Sequence, residues 1–308
     1  MMPSNTPVSV EEFQALFDRL NHWGRYEVPD RGAWNDVGPE QAKRGAAAIR
    51  SGRVVGMALP WNTVAEVDNP KPALHFMSDL GDVEPGQPTC NKDFIGIDYH
   101  GKSCSHLDAL AHIAWQGRLF DGNRSAEVVG AGGATFGTVG ALGPIVTRGV
   151  LLDLPAVRGV DWLEPGEALH AEDLQAAEDF AGVRIEPGDA VLLRCGQFAR
   201  RRALGPWDSG EASAGIHAGA MPWIHERDIA VLGADGDSDV RPSPVPGVHS
   251  PIHILSLTAM GVPLLDNLDL EALSQACREE GSYAFQLTLA PLNIPMGTGC
   301  PLNPVAVL

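Results

Sequence analysis

The sequence predicts one α/β domain with a mixed sheet, and three observations carry that reading. Apolar strand-like runs at 54–59, 145–154, 189–194 and 229–234 alternate with helix-period segments, the pattern of a sheet flanked by helices. At 308 residues the length allows one large domain or two small ones, and no polar linker is long enough to divide the chain. With 44% hydrophobic and 20% charged residues, there are enough apolar side chains for a substantial core. Residues 1–308 therefore read as a single domain whose first 50 or so residues form an irregular N-terminal extension.

Taken in order, residues 9–22 read as a helix opened by Ser9, with Glu11 and Glu12 favourably placed against the helix dipole. An Ala-rich helix follows over 39–51, stopped by Gly52, and then the strand 54–59. Residues 60–92, rich in Pro, Asn and Asp, read as an excursion that serves as a lid or substrate wall. The apolar run 94–99 reads as a buried strand, 145–154 as a strand and 171–181 as a helix. A Pro187-Gly188-Asp189 turn leads into strand 189–194, and a helix over 218–227 precedes strand 229–234. Four prolines stiffen 241–251 before a helix over 252–260, which breaks at Gly261 ahead of strand 262–265. Residues 270–277 read as a helix with Asp269 placed to cap it, and 283–289 alternates as a strand.

The chemistry concentrates in His100-Gly101-Lys102-Ser103-Cys104-Ser105-His106-Leu107-Asp108-Ala109-Leu110-Ala111-His112. Neutral imidazole and carboxylate suit a divalent cation such as zinc or manganese rather than a structural all-thiolate site. His106 and Asp108 share a face if the backbone is extended. His112, four residues beyond Asp108, reaches the same place from the start of a helix. The bland alternative is a strand-to-helix corner whose imidazoles are each singly hydrogen-bonded. His253 and Asp266 are too far apart for one local motif, but a helix broken at Gly261 would fold Asp266 back beside the histidine. His217 starts the 218–227 segment and either caps it or faces a substrate. Cys104 is a ligand, a nucleophile or an inert filler of the turn, and the last is the reading we favour. Trp61, on the excursion, is a candidate substrate contact. Asp235-Gly236-Asp237-Ser238-Asp239 lacks the closing glutamate of a calcium loop and reads as a strand-end turn whose carboxylates cap the next segment.

Several function classes drop out. A net charge of −17 argues against nucleic acid or an anionic membrane surface as partner. No apolar stretch approaches a membrane span and no signal peptide is read at the N-terminus. Five dispersed cysteines without a Cys-x-x-Cys pair fit reduced thiols, so a cytoplasmic location is expected. The chain has no Gly-x-Ser-x-Gly elbow, His-Glu-x-x-His or P-loop, against serine hydrolase, zincin and NTPase readings.

His106-x-Asp108-x-x-x-His112, preceded by His100-Gly101, resembles the signature of the putative cyclase family, whose best-known members are bacterial kynurenine formamidases. Asp30-Arg31-Gly32-Ala33-Trp34-Asn35 is similar to that family's N-terminal Gly-x-x-Asn segment. Gly188-Asp189-Ala190-Val191-Leu192-Leu193-Arg194-Cys195-Gly196 is similar to its GDxxLxRTG strand, with cysteine for threonine. His253 through Asp266, and Ala290 through Pro301, resemble its last two conserved stretches. The resemblance runs in chain order over roughly residues 20 to 308. Departures are local: Lys102 stands where the kynurenine formamidases carry histidine, Cys104 where longer members do, and Asp266 where glutamate is usual.

The resemblance implies a swivelling β/β/α fold, a barrel-like core with peripheral helices and a closed homo-oligomer, a homodimer or homotetramer. It implies a divalent cation held by His106, Asp108, His253 and Asp266, with His100 contributing, and His112 as general base. On that footing the chain is a metal-dependent hydrolase of a small molecule bearing a formamide, cyclic amide or lactone. Two alternatives stay open: a cyclase, lyase or isomerase using the same centre, and a non-catalytic metal-binding relative.

Overall fold

The computed structural model describes residues 5–81 and 90–308. Nine strands make one sheet in the order Val54–Gly56, Val305–Val307, Ala284–Leu289, Ile145–Asp153, Ala190–Arg194, Val231–Ala234, Leu264–Asp266, His106–Asp108 and Gly299–Pro301. The four strands from Ile145–Asp153 to Leu264–Asp266 are parallel, and the pairings on both flanks are antiparallel. The sheet curls into a half-barrel with helices packed around it, as the fold class predicts.

Parallel strands need cover on both faces, so they read as unbroken apolar runs. Here Val150, Leu152, Val191, Leu193 and Leu232 point into one core, while Leu151, Ala190, Leu192 and Val231 point into a second core on the opposite face. Every residue of Ala190–Arg194 and Val231–Ala234 is buried. Ala284–Leu289, nearer an edge, alternates buried and half-buried positions, which is the period the sequence carries.

Helix Val10–Arg19 has the expected start, with Ser9 and Glu12 in a reciprocal capping box and Phe13 and Phe17 buried beneath it. Ala171–Ala181 falls where expected and ends at left-handed Gly182. Glu271–Glu280 outruns the expected helix by three residues, with the Asp269 carboxylate accepting the Glu271 N–H at 3.4 Å.

Other expectations are corrected. Residues 5–50 are not irregular: two helices and the 3-10 segment Pro29–Asp36 bring Phe13, Phe17, Leu20 and Trp34 into the core. The helix from Pro39 ends at Ala47, because the chain departs to set the Ser51 and Gly52 N–H groups on the Leu308 carbonyl. The run at 94–99 is not a buried strand. Lys92–Gly96 pairs with Leu74–Asp79 of the excursion, forming a ribbon that no layer among the described residues covers, so Phe94 and Ile95 stay exposed. The segment 218–227 is a 3-10 turn, Ala218–Ala220, followed by the short helix Met221–His225, which ends where Asp228 takes a positive φ. Residues 82–89 of the excursion, with Pro85 and Pro88, and residues 1–4, where no signal peptide was read, lie outside the described residues.

Candidate metal centre

Strand His106–Asp108 lies between Leu264–Asp266 and Gly299–Pro301, with Asp266 and Pro301 both paired to His106. Alternation sends Leu107 into the core, whereas His106 and Asp108 share the other face with their cross-strand neighbour Asp266. The strands must pack closely for this. A Cβ at Gly299 would sit 2.3 Å from the Leu107 carbonyl oxygen and 2.9 Å from the His100 ring.

His253 arrives from a different element. Pro251–His253 continues into the π-helix Ile254–Met260, which stops at Gly261 with φ +69°. A side chain at Gly261 would collide with the Phe120 ring, so the reversal that returns the chain toward Asp266 depends on glycine.

The donor atoms converge. His253 Nε2 is 3.2 Å from Asp266 Oδ2 and 3.5 Å from Asp108 Oδ2. His106 Nε2 is 3.6 Å from Asp108 Oδ1 and 4.0 Å from Asp266 Oδ2. Two sets, His106–Asp108–Asp266 and His100–Asp108–His112, each bring their ligand atoms within 4.8 Å of one another. Asp108 Oδ2 and Asp266 Oδ1 are buried with no hydrogen-bond partner, a costly arrangement for carboxylates unless a cation completes it. The tautomers agree. His253 Nδ1–H donates to Asp239 at 2.6 Å and the His106 ring contacts the Cys104 carbonyl through Nδ1 at 3.3 Å, which leaves each Nε2 lone pair for an ion. The residues present fit a divalent cation.

Charge follows the same geometry. Burial alone would raise Asp108, but His112, His106, His100 and His253 hold its carboxyl well below the usual range. Burial would lower His253, yet Asp266, Asp108 and Asp239 push it well above an ordinary histidine, so a cation entering here displaces a proton. Burial lowers His112 to about 4 against the pull of Asp108, which keeps its imidazole neutral and able to accept a proton.

The predicted site residues divide. His106, Asp108, His253, Asp266, His100 and His112 all line one cavity of about 190 Å³. His112 does not begin a helix; it lies in a turn, with its N–H on the Ala109 carbonyl, and its ring stacks on His100 at 3.8 Å. Its Nε2 is 3.7 Å from Asp108 Oδ2. His100 engages both ring nitrogens, Nδ1 with Asp108 at 2.6 Å and Nε2 with the Thr298 hydroxyl at 2.8 Å. Cys104 is fully buried beside that cavity rather than lining it, and burial raises its thiol to about 12, an inert filler.

His217 is placed elsewhere. Its ring contacts the Thr6 carbonyl and accepts the Gly219 N–H, which suits the capping alternative. Trp61 lines a second, larger cavity of about 480 Å³, which shares Lys102 and Asn267 with the first. The sequence reading missed Asp239, Asp237 and Arg241, which surround His253 and Lys102. Asp237 and Asp239 stood in the turn after Val231–Ala234, and the rule that ligands gather beyond the carboxyl ends of parallel strands would have singled them out. The capping expected of this turn falls to Asp239, which accepts the Ile252 N–H at 2.8 Å at the start of the next helix, while Asp235 accepts the N–H groups of Cys195, Gly196 and Gln197 from an earlier element.

The model of the putative cyclase family matches residues 35–238. The chain belongs to the putative cyclase family. A crystal structure described as a novel cyclase is 28% identical, with a TM-score of 0.85 over 95% of this chain and 99% of the other. Isatin hydrolase A from Ralstonia solanacearum is 24% identical, with a TM-score of 0.56 over 82% and 91% of the two chains. Isatin hydrolase A from Labrenzia aggregata, bound to benzyl benzoate, is 22% identical, with a TM-score of 0.56 over 85% and 94%. These two likenesses speak for the cyclase fold. No curated protein matches the chain in sequence. Among the described residues, no helix is long and apolar enough to cross a membrane.

Proposed function

We propose that this putative cyclase is a metal-dependent hydrolase that opens an amide, formamide, cyclic amide or lactone bond in a small molecule. The observation that carries the reading is the buried set of His106, Asp108, Asp266 and His253 with two carboxylate oxygens unpartnered, beside a histidine held neutral. The isatin hydrolases among the structural neighbours support hydrolysis as the reaction class.

A bound zinc or manganese ion supplies Lewis acidity, which makes water nucleophilic near neutral pH and polarises a carbonyl. His106 and His253 would hold that ion through Nε2, and Asp108 and Asp266 through their free oxygens. Asp239 fixes the tautomer of His253, and His100 fixes Asp108. His112 Nε2 takes a proton from the attacking water and returns it to the leaving amine or alkoxide. Its stacking on His100 keeps that nitrogen at the cavity rather than in solvent.

The test joins metal analysis with isotope labelling. Purified protein should hold a divalent metal that His106→Ala or Asp108→Ala loses, and a panel of formamides, lactones and cyclic imides should give products carrying one oxygen from labelled water. Wild-type metal content in both variants sinks the ligand set. Turnover without solvent oxygen moves the family chemistry to a cyclase, lyase or isomerase.

A further inference from the structure

Of the four side chains that would hold the ion, three meet a neighbour outside that set. Asp108 meets the His100 ring, His253 meets Asp239, and His106 meets the Cys104 carbonyl. Asp266 differs. Among the described residues, the one donor hydrogen-bonded to its carboxylate is His253 Nε2, at 3.2 Å. With an ion on the Nε2 lone pair that nitrogen has no proton to give, and the bond is gone. The Asp266 carboxylate is then placed by its backbone alone, and the backbone there is unusual. Asn267, the next residue, is buried with φ +56°. Left-handed backbone is costly for a residue with a Cβ, although asparagine is among the least penalised. Five non-glycine residues among those described take a positive φ, and of these Asn267 and Ser238 are the buried ones. They stand next to Asp266 and Asp239, two carboxylates that face His253, and strain so placed points to function. Glycine would meet the same backbone requirement more cheaply, so what asparagine adds is its amide. That amide donates through Nδ2 to the Gly101 carbonyl at 3.1 Å and to the Cys104 carbonyl at 3.4 Å. The Asn267 carbonyl in turn accepts the Ser105 hydroxyl at 2.5 Å, and Ser105 Oγ accepts the Leu59 N–H at 2.9 Å. The ladder between the two ligand-bearing strands ends one residue earlier, at the pair His106 and Asp266. Ser105 and Asn267 thus prolong it with side chains where the backbone turns away.

We propose that Asn267 is a positioning residue for the divalent cation: clasped to Ser105 and to the turn 101–104, it fixes the strand end from which Asp266 reaches the ion. Without the clasp the last pair of the ladder frays, and Asp266, which has no donor of its own once the ion is bound, drifts from His106. The Asn267 N–H, on the Gly236 carbonyl at 2.8 Å, ties the same strand end to the turn that bears Asp239. Ser105 and Asn267 are both buried, so breaking either half leaves polar groups of the other without partners. The two halves therefore act as one unit. The proposal rests on the metal-centre part of the proposed function and is indifferent to which bond is opened.

The experiment is a competition titration of zinc between the metal-stripped full chain and a chromophoric chelator. Thermal melts of the metal-free protein and the visible absorption of its cobalt(II) form accompany it. Asn267→Gly keeps the left-handed backbone and removes the amide, and it should weaken zinc binding about 10–100-fold, the usual cost of losing a partner behind a metal ligand. Ser105→Ala should do the same, and the double variant should bind no more weakly than the weaker single one. The cobalt absorption should shift as the carboxylate leaves the ion, while metal-free Asn267→Gly melts near wild type, because glycine relieves the left-handed strain. A merely structural Asn267 would lower that melting temperature and leave zinc affinity and the cobalt spectrum alone, and this result overturns the proposal. So do losses that multiply in the double variant, which would make the two contacts independent. If Asn267→Gly fails to fold by circular dichroism, Ser105→Ala carries the comparison against Ser105→Thr, which keeps the hydroxyl and should keep wild-type affinity. Wild-type protein that binds no zinc overturns the ion and the clasp together, whereas variants that bind it like wild type overturn the clasp and leave the hydrolase reading standing.

Discussion

At the residue scale the centre depends on a division of labour between imidazoles that look alike in sequence. His106 and His253 each have Nδ1 committed to a protein oxygen, whereas His100 has both nitrogens committed and His112 is kept neutral by burial. His112→Ala should therefore lower turnover by about 10²–10⁴-fold while metal content stays at the wild-type level. Metal analysis beside the kinetics checks this, and loss of the ion in that variant would make His112 a ligand and place the base elsewhere. The motif His106-x-Asp108 was legible because an extended strand has a period of two, which puts both side chains on one face. Asp239 was not legible as a partner of His253, since the two are joined only by the fold: a carboxylate beyond one strand end meets the first turn of a helix that follows a proline-rich loop.

At the element scale, the π-helix Ile254–Met260 is held at its far end by a histidine pair. His22 Nε2 lies 2.9 Å from His225 Nε2, and His22 Nδ1 contacts the Met260 carbonyl at 3.2 Å. Burial, with Arg25 and His225 close by, lowers His22 from 6.5 to about 4, with Asp228 and the Met260 carbonyl opposing. Burial also lowers His225. Tyr26 completes the surroundings, its hydroxyl 3.4 Å from His22 Nδ1. A histidine whose folded pKa is depressed contributes stability that is complete above its unfolded value of about 6.5 and drains away as pH falls toward the folded value. Thermal melts in the presence of a chelator should accordingly show a lower Tm at pH 5 than at pH 7, and His22→Gln should flatten that slope. An unchanged slope in the variant would assign the pH dependence to other groups. Elements of this kind were partly legible: the stop at Gly261 followed from glycine, while the widened π geometry left no trace in the apolar spacing. The strand at 94–99 was misread because an apolar run does not say which partner will cover it.

At the scale of the whole molecule, the ribbon of Leu74–Asp79 and Lys92–Gly96 stands apart from the sheet and leads directly into the segment that bears His100. Leu74, Phe76, Met77, Phe94 and Ile95 are all exposed on it, and Phe76 and Phe94 stack on each other at 4.9 Å. A monomer that left this many neighbouring apolar side chains in water would forgo their burial and present open strand edges to other chains. Residues 62–69 of the excursion are fixed in place: Arg201 grips Glu66 and Asp68, and the Asn69 amide closes a turn on the carbonyls of Asn62 and Val64. A rigid base under an apolar ribbon suits a second copy of the chain as the covering partner, and we expect a homodimer or a dimer of dimers built on it. Size-exclusion chromatography with light scattering on wild type and on Phe76→Ser/Phe94→Ser tests this. Wild type should run as the oligomer and the double variant as a smaller species that keeps its metal, since neither residue touches the centre. Deleting residues 62–72 would remove Trp61's neighbours and the grip of Arg201 together, so it should weaken both assembly and substrate affinity. A wild type that is a fully active monomer at micromolar concentration would overturn the oligomer and leave the ribbon as surface.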